Sequence, residues 1–150
     1  SGQITHNRRE SMWGQLLEYS LHNPRTKISR TGGFSQGDSP EEYYNNLSSA
    51  KIATCPAGAI TPDSFRLFEA LESMAVPIAD DTNSQGNISN YWDWLFGQPT
   101  PFYKIIKWKD MISEIEEIFN QYPEISHEIT AWWIKYKRDF AYKILGQLNG

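Results

Sequence analysis

Arg66 and Glu69 stand three residues apart within residues 51–81, a segment that reads as strand, glycine turn, helix and strand. At that spacing an arginine and a glutamate share one face of a helix. Two chemistries are open to them. They pair with each other on a solvated face, or the guanidinium meets an anion while the carboxylate accepts hydroxyl groups. Arg66 falls in the first turn of the helix, where a cation opposes the positive end of the dipole at a cost of about 0.3–1 kcal/mol. A bound anion reverses that sign, and the N–H groups of the same turn point towards it, so phosphate is the natural guest. Spacing alone leaves both readings standing.

The elements that must hold these groups follow from residue patterning. Ile52 to Cys55 is a short apolar strand, Pro56-Ala57-Gly58 is a turn, and the helix opens at Thr61-Pro62-Asp63-Ser64, with cap residue and first-position proline in their favoured order. Phe65, Phe68, Leu71 and Met74, with Leu67 and Ala70 beside them, form a broad apolar side for packing on a sheet. Val76 to Asp80 is the returning strand.

The run from Asp63 to Ile78, preceded by a strand ending Cys-Pro-Ala-Gly and by Ser-Pro-Glu-Glu-Tyr-Tyr, resembles the C-terminal, donor-binding half of exostosin-like glycosyltransferases of the GT-B fold. Its most specific part is Ser64, Arg66 and Glu69 on one short helix, followed by a proline-containing apolar strand at Val76-Pro77-Ile78. The resemblance implies that Glu69 holds the ribose hydroxyls of a sugar nucleotide and that Arg66 and Ser64 lie by its diphosphate. Many GT-B enzymes carry a second acid eight positions before the ribose-binding one, and here that position is Thr61. The resemblance also implies transfer in a cleft between two domains. The general base and the acceptor site then belong to an N-terminal domain outside this chain, no catalytic residue is assigned within it, and this half alone binds without turning over.

The rest of the chain continues the alternation. Ser1 to Ile4 reads as the tail of a strand. A helix follows to about Leu21, with Trp13, Leu16, Leu17 and Leu21 on one face and Pro24 as its stop. Thr26 to Arg30 reads as a second short strand, broken by Gly32-Gly33, and Ser39-Pro40-Glu41-Glu42 opens a capping-box helix through Ser48. After a polar loop from Thr82 to Asn90 come an aromatic patch, Tyr91 to Phe96, and a strand from Phe102 to Ile106. Residues 109–148 form a C-terminal helical extension, one helix marked by Met111, Ile112, Ile115, Ile118 and Phe119 and a longer one by Ile125, Ile129, Trp132, Trp133, Tyr136, Phe140 and Ile144.

The expected fold class is therefore α/β, a Rossmann-like, mostly parallel sheet with helices on both faces, in one domain over residues 1–150. Ligands of such sheets lie off the carboxyl ends of the strands. Three loops converge there, 3–9, 58–64 and the one after Asp80, which makes Arg8 or Arg9 a further candidate for the diphosphate. The opposing reading has both arginines capping and solvating the first helix.

Composition narrows the classes. The net charge is −4, yet the first thirty residues carry Arg8, Arg9, Arg25, Lys27 and Arg30 against Glu10 and Glu18, so the acidity lies beyond them. A few arginines near one end suit a small anion and not the broad basic stripe of a nucleic-acid surface. No apolar run approaches the ~20 residues of a membrane span. The placement expected is cytoplasmic, or lumenal if a longer parent carries a signal anchor.

No cofactor is called for. Asp80-Asp81 are adjacent acids without a third oxygen ligand and read as solvated groups or sugar-hydroxyl acceptors, His6, His22 and His127 are too scattered for zinc, and no dinucleotide or P-loop motif is present. Cys55, the one cysteine, reads as a small core residue. The expected partners are a nucleotide sugar, a glycan or other acceptor, and the N-terminal domain. Two rivals remain: a non-catalytic nucleotide or phosphosugar-binding module, and a helical protein-interaction domain using the long last helix and the Trp92 patch.

Overall fold

The structure, a computed structural model, describes residues 6–28, 37–58, 60–82 and 90–148. Its centre is a three-stranded parallel sheet of β1 (Ile52–Cys55), β2 (Val76–Asp80) and β3 (Tyr103–Ile105), in that spatial order. Parallel neighbours need a crossover. Here α3 (Phe65–Glu72) returns β1 to β2, and α4 (Tyr91–Phe96) lies between β2 and β3. β2 reads Val-Pro-Ile-Ala-Asp and is buried at every position, as a parallel strand covered on both faces must be. The α/β expectation holds at this level.

Around the sheet lie α1 (Asn7–His22), α2 (Pro40–Ser49), a 3-10 turn at Trp108–Asp110, α5 (Met111–Gln121) and α6 (Glu124–Leu148). The capping box of α2 forms as its sequence dictates, the Ser39 hydroxyl accepting from the Glu42 amide while the Glu42 carboxylate accepts from the Ser39 amide. α5 and α6 occupy the C-terminal stretch assigned to helices. The first half of α6 buries Ile125, Ile129 and Trp133, whereas Phe140, Ile144, Leu145 and Leu148 in its second half are exposed. The aromatic patch divides in the same way. Trp92 and Phe96 are core residues, and Trp94 faces outward.

Five expectations are corrected. The central helix begins at Phe65 with Ser64 as its N-cap, not at Thr61 and Pro62. Thr61 instead donates its hydroxyl to Asp63, and the backbone of residues 61–63 folds over Gly58, where a Cβ would meet the Asp63 carbonyl at 2.7 Å and the Thr61 carbonyl at 3.1 Å. Only glycine permits that close approach. The apolar side of α3 is narrower than its pattern. Leu67, Ala70 and Leu71 are buried, but Phe65 at the first position is 85% exposed, and Met74 lies past the helix end at φ +60° and is 62% exposed.

The inward face of α1 is Met12, Leu16 and Tyr19, while Leu17 and Leu21 face solvent. That stripe continues through Arg8, one turn before Met12. Residues 26–28 of the expected second strand are not in a strand. The rest of that segment, Gly32-Gly33 and the expected first strand at Ser1 to Ile4 lie outside the described residues. Finally, Asp80 and Asp81 are buried, not solvated.

Candidate functional site

A cavity of about 890 Å³ runs along β1, between α1 and α2, and includes Pro56 just past the carboxyl end of the strand. Among the described residues β1 is paired on one side only, by β2, and the cavity covers its other side. Arg9 from α1, Tyr43 from α2 and Arg66 from α3 are among its lining residues. Three elements distant in sequence thus bring two guanidinium groups and a phenol to one wall.

Each group is held by local structure. Arg9 donates its Nε–H to the Ala57 carbonyl at 3.2 Å, and the Nε2 of His6 meets the same oxygen at 3.1 Å. Arg66, in the first turn of α3, lies with its guanidinium 4.6 Å from the centre of the Tyr43 ring and 3.6 Å from the Glu69 carboxylate. The Tyr43 hydroxyl donates to that carboxylate at 2.5 Å. Both members of the Arg66–Glu69 pair are less than a third exposed. The two readings of this pair are therefore not exclusive, since the residues touch while Arg66 still lines the cavity.

The electrostatics follow from this crowding. Burial, and then the charge of Arg66, lower the pKa of Arg9. An anion close to a cation whose charge is disfavoured offsets that penalty. Burial and the hydrogen bond to Glu69 raise the pKa of Tyr43, which keeps the phenol a neutral donor. Burial also pushes up the pKa of Cys55, which holds its thiol protonated and unsuited to nucleophilic work. Ser64 Oγ, at the cap of α3, is closed off from solvent with no hydrogen-bond partner among the described residues.

Of the five candidates read from sequence, Arg66 and Arg9 line the cavity, Glu69 adjoins it through Tyr43, and Ser64 caps the same helix. Arg8 goes elsewhere. Its guanidinium binds both oxygens of Asp80, with Nε–H donating to Oδ2 at 3.0 Å. Asp80 is 0% exposed and also receives the Trp108 indole N–H at 2.9 Å and the Thr82 hydroxyl at 2.9 Å. Asp81 accepts the Tyr91 amide at 2.9 Å, and burial raises its pKa. Among the described residues no group of His, Cys, Asp or Glu gathers as metal ligands, and no helix is long and apolar enough to cross a membrane.

Sequence reasoning missed Tyr43. The signal was at hand, because Ser-Pro-Glu-Glu-Tyr-Tyr is part of the resemblance and fixes the start of α2. What that run lacked was a reason to turn Tyr43 towards Glu69, and only the tertiary contacts of Tyr43 with Arg66 and Glu69 supply one.

The chain matches no curated protein and no solved structure. A family model described as the RXYLT1 C-terminal domain matches residues 5–149, nearly the whole chain, and the chain belongs to that family.

Proposed function

We propose that this member of the RXYLT1 C-terminal domain family, a family related to exostosin-like glycosyltransferases, binds the nucleoside diphosphate of a sugar donor in the cavity along β1. The observation that carries the reading is the placing of Arg9 and Arg66 on one wall at the carboxyl end of a parallel strand, close enough for one to lower the pKa of the other. A diphosphate offers paired charged oxygens to both guanidinium groups, which bind such groups through forked donors. Ser64 Oγ gains a partner in the same region, by the first-turn amides of α3.

Glu69 accepts the ribose hydroxyls in this reading, held in place by Tyr43. As the glycosidic bond breaks, negative charge gathers on the departing diphosphate, and Arg9 and Arg66 stabilise it by electrostatics already in place. These cations supply the charge that a metal ion provides elsewhere, so nucleotide binding is expected to survive a chelator. The acceptor and the general base belong to the partner domain that the resemblance implies, and the domain is the donor half of a GT-B arrangement.

The test is calorimetric titration of the full chain with UDP and GDP, repeated with Glu69→Ala. Saturable binding that weakens by about 1.5–3 kcal/mol in the variant, the range for hydrogen bonds to a charged group, is the expected result. Undiminished affinity removes the ribose role.

A further inference from the structure

We propose that Arg8 and Asp80 form a buried clamp whose task is to position Arg9 for the diphosphate, an inference that rests on the donor-site reading above. Asp80 stands at the carboxyl tip of β2. Its carboxylate receives the forked guanidinium of Arg8, the indole of Trp108, the hydroxyl and amide of Thr82, and at 3.5 Å the amide of Ala57. One buried anion thereby fastens α1, the turn after β1, the segment after β2 and the 3-10 turn to a single point. A carboxylate shut off from water needs that many donors.

The consequence reaches the cavity through geometry. Consecutive helical residues project about 100° apart. With Arg8 fixed on Asp80, α1 has one rotation left, and in it Arg9 faces the turn after β1. There the Arg9 Nε–H meets the carbonyl of Ala57, the residue whose amide faces Asp80. The two ends of the clamp therefore hold the same residue, Ala57, one through its amide and the other through its carbonyl. Arg8, at 14% side-chain exposure and bound to both oxygens of Asp80, is a positioning residue, while Arg9 faces the ligand.

The test combines two readouts on the full chain. Arg8→Lys keeps the charge beside Asp80 but loses the fork that sets the helix rotation. Hydrogen exchange of the Arg9 Nε–H, followed by nitrogen-resolved NMR, is expected to quicken in Arg8→Lys, and UDP affinity is expected to fall about tenfold, as for one lost charge-assisted hydrogen bond. In an Arg9→Ala background the same Arg8→Lys change is expected to lower affinity no further. Additive losses overturn the inference, because Arg8 then touches the diphosphate itself. Unchanged Arg9 exchange also overturns it, because the clamp then only stabilises the fold. If Arg8→Lys does not fold, Trp108→Phe removes one donor from Asp80 without touching α1 and is read by the same exchange. If the wild-type chain binds no UDP, the donor reading fails by itself, and Arg9 exchange still decides the clamp.

Discussion

Arg8 and Arg9 are neighbours in the chain, and they lead to two regions built on opposite terms. At the tip of β2, Arg8 meets a carboxylate that is fully enclosed and saturated with donors. Along β1, Arg9 lines an open cavity beside a second cation that makes its own charge less favourable. The first region has settled its charge internally and gives rigidity. In the second, burial and the neighbouring Arg66 make the charge of Arg9 less favourable, which is the setting the proposed diphosphate suits. A cation's place in the fold, more than its type, thus separates the enclosed arginine from the cavity-lining one.

The contrast breaks most visibly at Asp80. Asp80→Ala leaves Arg8 inside the protein without its counter-charge and the Trp108 indole without an acceptor, so unfolding free energy measured in urea should fall by about 3–5 kcal/mol. A loss below 1 kcal/mol would mean that the tip of β2 is no more ordered than a surface. On the cavity side the expectation is the reverse. Arg66→Ala removes a partly exposed pair with Glu69 and also a neighbour that disfavours Arg9, so the unliganded protein should change by less than about 1 kcal/mol in the same assay. A large destabilisation there would make Arg66 a structural residue after all.

The smallest effect concerns the tie between α3 and α6. Glu72 accepts from Lys137 at 2.7 Å and from the Trp133 indole at 3.1 Å, and the Lys137 hydrogen bond is the main cause that lowers its pKa below the ordinary 4.5. A depressed carboxylate stabilises the fold above its ordinary pKa, and that support fades as pH falls through the lower folded value. Melting temperature in wild type should therefore drop more than in Glu72→Gln between about pH 5 and pH 3. Parallel profiles would show that the tie contributes nothing.

How far the sequence foretold this depends on the range over which each signal acts. The capping box at Ser39 to Glu42 and the strands at Ile52 and Val76 were legible because short-range rules decide them. The start of α3 was not, since Thr61, Asp63 and Ser64 are all good caps and the choice turns on the backbone crossing over Gly58. Met74 was misassigned because the helical period was carried past Glu72, where the backbone has already left the helix. Asp80 read as a solvated acid because its partner Arg8 is 72 residues away, and no local pattern announces such a pairing. Arg66 and Glu69 were singled out by their spacing, with their roles implied only by the family resemblance, and Tyr43 needed the fold.

The central claim is that Arg9 and Arg66 together receive a diphosphate, and its most direct test is UDP titration of wild type beside the double variant Arg9→Ala/Arg66→Ala at moderate salt. The account predicts saturable binding in wild type and a loss of at least about 3 kcal/mol, two charged hydrogen bonds, in a double variant that still folds. Equal affinity in the two proteins would contradict it.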